Sequence, residues 1–320
     1  MQQAVLAQAV TILKKGGLVA FPTETVYGLG ADASHVLALN KVFQAKKRPK
    51  NHPLILHIGH IDVLSQWVVD VPTEAQKLIQ AFWPGPLTLI LEKAAWVPEE
   101  LTGGQNTIGV RMPSHPIALA LLQQFGNGLA APSANQFGHV SPTNAAAVHE
   151  ELGDAVDLIL DGGDCEVGIE STIIDGRRSP VKILRPGMIT AREIAALMPL
   201  EAVADICQRP RVSGSHDAHY APRTPTMLID LNNAMVEQLL KSRSTFVLLT
   251  WSKQKIPSSI PQVAMPDEPK AYARILYKTL REIDHQDVDK IYIEDVPHEE
   301  AWVAIRDRLR RASYTCPSGS

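Results

Sequence analysis

The stretch from Lys41 to His57, KVFQAKKRPKNHPLILH, gathers Lys41, Lys46, Lys47, Arg48 and Lys50, and no carboxylate occurs between Asp32 and Asp62. In a chain whose balance is slightly acidic, such a concentration of cation asks for a local anionic partner. Elsewhere, segments that read as strand ends or loops finish on polar or cationic residues: Thr25, His57, Thr107 with Arg111, Ser133 with Asn135, Ser141, Ser171 with Thr172, and Arg185. Taken singly these are ordinary: an arginine at a strand end is most often a surface ion pair, and Ser133 and Asn135 after Pro132 are turn chemistry. As a set they are the composition needed to neutralise and hydrogen-bond a triphosphate together with a carboxylate, placed where open α/β sheets hold ligands. Glu24 and Glu170 form no evident pair, and no Ser-His-Asp spacing is readable. The chemistry that suits the set is therefore positioning and charge stabilisation, with hydrolysis by a nucleophile or by paired carboxylates disfavoured.

The elements that would carry these residues follow from periodicity and punctuation. Leu6, Val10 and Leu13 share one helical face, and Gly16-Gly17 end that helix. Leu18 to Phe21 reads as a short buried strand, and PTETVYGLGADA after it as a tight loop in which Gly28 and Gly30 expose backbone. A helix over Leu37 to Ala45 delivers the basic loop, and Leu54 to Ile58 follows as a strand. Further strands read at Leu87 to Leu91, Thr107 to Arg111, Leu158 to Asp161, Ile173 to Asp175 and Val181 to Leu184, with helices between most of them. This alternation predicts an α/β domain with a twisted mixed sheet over residues 1–203. Residues 204–225 lose periodicity and read as a linker. Residues 226–320 then give a smaller α/β, Rossmann-like unit with strands at Met227 to Leu231, Phe246 to Trp251 and Ile291 to Glu294.

Composition narrows the function classes. The formal net charge is −3, with an isoelectric point near 6.4, which argues against a protein that coats nucleic acid or an anionic membrane. Cys165, Cys207 and Cys316 lack paired spacing, so neither a disulfide framework nor a cysteine zinc site is suggested, and a reducing, cytoplasmic compartment is expected. No apolar run reaches the length of a membrane span. His216, Asp217 and His219 in the linker are a low-specificity metal signal with no third ligand in view, and no metal held by protein side chains alone is expected. The glycines never complete a dinucleotide fingerprint, and no G-K-[ST] phosphate loop occurs.

The ordered blocks FPTETVYGLGADA, AKKRP followed by PLILHI, WPGPLTLIL, TIGVRMP, APSANQFGHVSPT, IESTIID and LRPG resemble the YrdC-like threonylcarbamoyl-AMP synthase family. HYAP at His219 to Pro222, with the small α/β unit after it, is similar to the long, two-domain form. The resemblance implies a nucleotidyltransferase that combines L-threonine, bicarbonate and ATP, with Mg2+ accompanying the ATP, into threonylcarbamoyl-AMP and pyrophosphate. It further implies that the product serves the downstream machinery that places threonylcarbamoyl on tRNA adenosine. Carried over by position, Thr25, His57, Arg111, the Ala131 backbone and Ser171 would hold threonine. Lys46, Arg48, His52, Thr107, Ser133, Asn135, Ser141, Arg185 and Tyr220 would hold ATP, with Lys46 and Arg48 also catalytic. This chain has His52 where many relatives have asparagine, and Asp217 where the family has a basic run before HYAP. The rival reading is an RNA-binding module that uses a basic concave surface for tRNA or double-stranded RNA. Steep salt dependence without ATP would favour it.

Overall fold

The computed structural model describes residues 2–201, 212 and 220–313. The chain divides into two compact units, Met1–Phe137 with Ser141–Ser215, and Gly138–Val140 with His216–Ser320. The linker residues His216, Asp217 and His219 lie outside the described residues.

The first unit runs α1 (Gln2–Lys14), β1 (Val19–Phe21), β2 (Gly28–Asp32), α2 (Val36–Ala45), β3 (Ile55–His57), α3 (Leu64–Trp67), α4 (Thr73–Phe82), β4 (Leu87–Glu92), α5 (Glu99–Thr102) and β5 (Thr107–Arg111). It continues with α6 (Pro116–Phe125), β6 (Leu129–Ala130), α7 (Ala145–Leu152), β7 (Leu158–Ile159), β8 (Thr172–Asp175), β9 (Lys182–Arg185) and α8 (Ala191–Ala195). Its nine strands form one mixed sheet in the order β7-β1-β2-β6-β3-β5-β4-β8-β9. β3 and β5 are parallel, in a register that sets Ile55 against Gly109 and His57 against Arg111. β4 runs antiparallel to β5 and parallel to β8.

Because side chains alternate along a strand, this register sorts them onto two faces. Leu56, Val110, Leu89, Ala130 and Ile174 go into the main core with Leu39, Val42, Phe43 and Leu78 of α2 and α4. Ile55, His57, Thr107, Gly109 and Arg111 go to the other face. There α1 and α6 pack Leu6, Leu13, Leu121 and Phe125 against Phe21, Leu129 and Ala131. Beyond that cover, Ile55, Ile90, Ile173 and Leu184 form a separate apolar patch that Val212 joins.

The expected tight loop over PTETVYGLGADA is only half a loop, since Gly28–Asp32 is strand β2, antiparallel to β1. Its glycines are there for close packing: a Cβ on Gly30 would lie 2.9 Å from the Phe21 ring and 3.0 Å from the Val19 carbonyl.

The second unit holds β10 (Thr226–Ile229), α9 (Asn233–Leu240), β11 (Phe246–Thr250), β12 (Gln262–Ala264), α10 (Pro269–Asp284), β13 (Lys290–Glu294) and α11 (Val303–Ala312). Its four strands are all parallel, in the order β10-β13-β11-β12. The weak strand β12 is absent from the sequence reading because Gln262 and Ala264 are exposed and no apolar run marks it.

The backbone after β9 is threaded tightly past β8. A Cβ on Gly187 would collide with the Thr172 nitrogen and lie 2.7 Å from the Ser171 carbonyl carbon. Gly187→Ala is therefore expected to lower unfolding stability by about 1–3 kcal/mol. In a urea titration this reads as a lower midpoint with an unchanged m-value.

Candidate active site

Lys46 is the C-cap of α2, and Lys47 after it adopts φ +49°, the left-handed conformation. That reversal turns Lys46 and Arg48 inward, while Lys41, Lys47 and Lys50 stay exposed. Lys46 is almost wholly buried, and its Nζ donates to the carbonyls of Ser133 (2.5 Å) and Asn135 (2.6 Å). Burial, and then the neighbouring Arg48 charge, pull its pKa well below the usual lysine value, with Glu151 and Glu170 acting in the opposite direction. Arg48 Nη2 donates to the Pro53 carbonyl at 3.0 Å, and its guanidinium lies 5.6 Å from the Phe137 ring centroid. His52 meets the same ring edge-on at 5.1 Å.

A second group forms around Arg111, at the other end of β5. Its Nη1 donates to Thr25 Oγ1 at 2.8 Å and its Nε to the Gly85 carbonyl at 3.3 Å, while Nη2 lies 2.7 Å from Glu24 Oε1. Thr23 Oγ1 shares a hydrogen bond with Thr25 Oγ1 at 2.9 Å, which fixes the hydroxyl that Arg111 uses. His57, beside Arg111 in the register, hydrogen-bonds the Ile55 carbonyl through Nδ1 at 3.2 Å. A carbonyl can only accept, so Nδ1 carries the proton and Nε2 of the neutral ring carries the lone pair. Burial, and then the Arg111 charge, push the His57 pKa from 6.5 down to about 3.

The last members come from β8 and β9. Arg185 donates through Nη2 to the Ser171 carbonyl (2.9 Å) and hydroxyl (3.1 Å), and Ser171 Oγ is 2.8 Å from Thr88 Oγ1. One step beyond the Leu89–Val110 pair, Thr88 stands beside Arg111. Ser141 Oγ donates to Glu170 Oε1 at 2.6 Å. Since Glu170 also acts electrostatically on Lys46 and precedes Ser171, it joins the two groups.

The structure thus brings Thr25, His57, Arg111, Ser171 and Arg185 together, and Lys46, Arg48, His52, Ser133 and Asn135 likewise. Ala131 lies beside Ile55, with its N–H engaged by the Ile55 carbonyl at 2.9 Å. Thr107 and Arg111 share a face of β5, four residues or about 13 Å apart, enough for an extended substrate. Gly109 between them leaves the strip over Thr88, Ile90 and Ile55 low, because a Cβ there would reach to within 3.2 Å of Ile90. Tyr220 belongs to the second unit, stacked on Tyr277 at 5.8 Å, with the Arg308 guanidinium 5.2 Å from its ring centroid.

Sequence reasoning missed the acidic partners. Glu24 and Glu170 are not paired with each other: the first meets Arg111 and the second Ser141. Thr88, Glu151 and Phe137 were also not singled out. The one signal available was the position of Glu24 between the two threonines of the same TET run.

Residues 11–187 match the family model described as telomere recombination, Sua5_yciO_yrdC, and residues 189–313 match the threonylcarbamoyl-AMP synthase C-terminal domain. The threonylcarbamoyl-AMP synthase of Pyrococcus abyssi is 38% identical over 322 residues, spanning 95% of this chain and 93% of that one. That of Bacillus subtilis is 37% identical over 320 residues, spanning 96% and 92%. Among solved structures, P. abyssi Sua5 complexed with L-threonine superposes with a TM-score of 0.87 at 35% identity, covering 96% of this chain and 94% of that chain.

The depressed pKa of His57 has a stability consequence. The unfolded chain binds a proton at this residue below about pH 6.5, and the folded chain only near 3. The native state therefore loses up to about 1.4 kcal/mol per pH unit on acidification across that window. Urea titrations at pH 7 and 5 should show His57→Gln with a shallower loss than the parent chain.

Proposed function

The chain belongs to the YrdC-like threonylcarbamoyl-AMP synthase family in its two-domain form, and from that premise we propose that it condenses L-threonine, bicarbonate and ATP to threonylcarbamoyl-AMP and pyrophosphate. The observation that carries the reading is the buried row along β5, with Thr107 at one end and Arg111 at the other, together with the buried cations Lys46, on the Ser133 and Asn135 carbonyls, and Arg48, on the Pro53 carbonyl two residues before the Ile55 that pairs with Gly109 of β5.

In this reading the amino acid occupies the Arg111 end. Arg111 faces its carboxylate, while Thr25, Ser171, the Ala131 backbone and the lone pair of His57 Nε2 are available to its hydroxyl and amine. A site built to hydrogen-bond a hydroxyl rejects analogues that lack it. The nucleotide occupies the other end, against Lys46, Arg48, His52, Thr107, Ser133 and Asn135, with Ser141 and Arg185 between the two. Bicarbonate loses hydroxide to give carbon dioxide, and the unprotonated amine adds to its carbon with loss of one proton. A carbamate oxygen then attacks the α-phosphorus in line, the bond to the bridging oxygen breaks, and pyrophosphate leaves with that electron pair. Lys46, Arg48 and Arg185 stabilise the phosphate charge, most of the catalysis being position and field.

Among the described residues no group of three or more His, Cys, Asp or Glu could hold a metal ion. In this proposal Mg2+ enters with the phosphates, as part of the nucleotide substrate. No step is assigned to Tyr220. The product would pass to the machinery that transfers threonylcarbamoyl to tRNA adenosine. No helix among the described residues is long and apolar enough to cross a membrane.

The pure protein with threonine, bicarbonate and ATP is expected to release pyrophosphate in a threonine-dependent manner and to yield threonylcarbamoyl-AMP by mass. Release that is equal without threonine, or no release, overturns the reading. Lys46→Ala and Arg48→Ala should each lower kcat/KM by about 10²–10³-fold with the cooperative melt retained.

A further inference from the structure

Arg111 and Glu24 form an unusual pair. Both are nearly fully buried, and Nη2 lies 2.7 Å from Oε1, yet neither atom makes an aligned hydrogen bond. The other partners of both residues are fixed. Arg111 Nη1 and Nε go to Thr25 and Gly85, and Glu24 Oε2 accepts the Ser114 N–H at 3.1 Å. The pair therefore neutralises itself electrostatically while one donor nitrogen on the cation and one acceptor oxygen on the anion keep unused hydrogen-bonding capacity. Buried polar atoms in that state call for an explanation, and a ligand offering an acceptor to one and a donor to the other supplies it.

An arginine alone would recognise any carboxylate. Arginine with a buried carboxylate at 2.7 Å makes a seat of zero net charge with two poles, which complements a ligand of zero net charge with two poles. We propose that Glu24 is a specificity-determining residue that makes the Arg111 seat accept the zwitterion of an α-amino acid over a carboxylate carrying no ammonium group. The inference rests on the Arg111 end being the amino-acid end. It adds the element that rejects the hydroxy acids and other simple carboxylates a lone arginine would admit.

The test compares two ligands by calorimetry on the full-length protein: L-threonine, and the matching 2,3-dihydroxy acid, in which a hydroxyl replaces the ammonium. The parent chain should bind threonine at least tenfold more tightly than the hydroxy acid. In Glu24→Gln, which keeps an acceptor for Ser114 but loses the charge, the ratio should fall to within about threefold of one. Glu24→Asp, which keeps the charge, should retain most of it. A role confined to holding Arg111 in place would shift both affinities together and leave the ratio unchanged, which overturns the proposal. Equal affinities in the parent chain overturn it even if Glu24→Gln fails to fold. Absence of any threonine binding in the parent chain would instead sink the assignment of the amino-acid end.

Discussion

Among the described residues of the first unit four cations, Lys46, Arg48, Arg111 and Arg185, are buried, and the arrangement of that unit follows from making this tolerable. An isolated ion moved into a protein interior loses several kcal/mol of hydration even after relaxation, so each must recover that loss from placed acceptors. Lys46 finds two main-chain carbonyls, Arg48 the Pro53 carbonyl and an aromatic face, and Arg185 the carbonyl and hydroxyl of Ser171. Carbonyl oxygens disperse a positive charge without cancelling it. At Lys46, Arg48 and Arg185 these acceptors are carbonyl and hydroxyl oxygens, whereas at Arg111 a carboxylate, that of Glu24, lies 2.7 Å away. One set of residue types gives two environments, one suited to a polyanion and one to a ligand of balanced charge.

The sheet makes this possible through register. With His57 opposite Arg111 and Ile55 opposite Gly109, period-two alternation sends every polar member of β3 and β5 to one face and Leu56 and Val110 to the core. A slip of one residue would bury His57 and Arg111 in the main core and expose its aliphatics, so the same hydrophobic burial that stabilises the fold also aims the site. The helices α1 and α6 cover only the β1, β2 and β6 half of that face through the Leu6, Leu13 and Phe125 cluster. The remainder, over Ile55, Ile90 and Ile173, is left for the site and for Val212.

Much of this was legible in the sequence because it is local. Alternation and runs of aliphatics marked seven of the nine strands of the large sheet to within a residue or two, whereas the split between Lys46 and Arg48 on one side and Lys47 and Lys50 on the other comes from the turn after α2, where Lys47 is left-handed. Three things were hidden. β2 is a strand of Gly, Leu, Gly, Ala and Asp, whose membership depends on Phe21 needing flat neighbours, a tertiary reason that propensity opposes. β12 is too short and exposed, and the two-residue β6 too short, to leave a pattern. Glu24 and Glu170 looked idle because their partners, Arg111 and Ser141, lie 87 and 29 residues away along the chain, and pairing at that range is a property of the sheet order. Cations announced themselves by clustering, and their compensating groups did not.

The second unit shows by contrast why chemistry is to be sought in the first. In an all-parallel sheet the crevice between strands whose connections diverge is the usual ligand position, and here it lies at the C-terminal ends of β11 and β13. That position is filled from within. Glu294 Oε2 accepts the N–H groups of Trp251 (2.9 Å) and Ser252 (3.1 Å), the donors that such a loop would otherwise offer an anion. Trp251 packs against Trp302 at 5.7 Å, Tyr272 meets Trp302 at 5.5 Å, and the Trp251 indole donates to the Asp295 carbonyl. A carboxylate already seated on backbone donors excludes a phosphate by repulsion as well as by occupancy. The topology of this unit resembles that of nucleotide-binding domains, but its own side chains occupy the place a nucleotide would take, whereas the buried cations Lys46, Arg48, Arg111 and Arg185 all belong to the first unit.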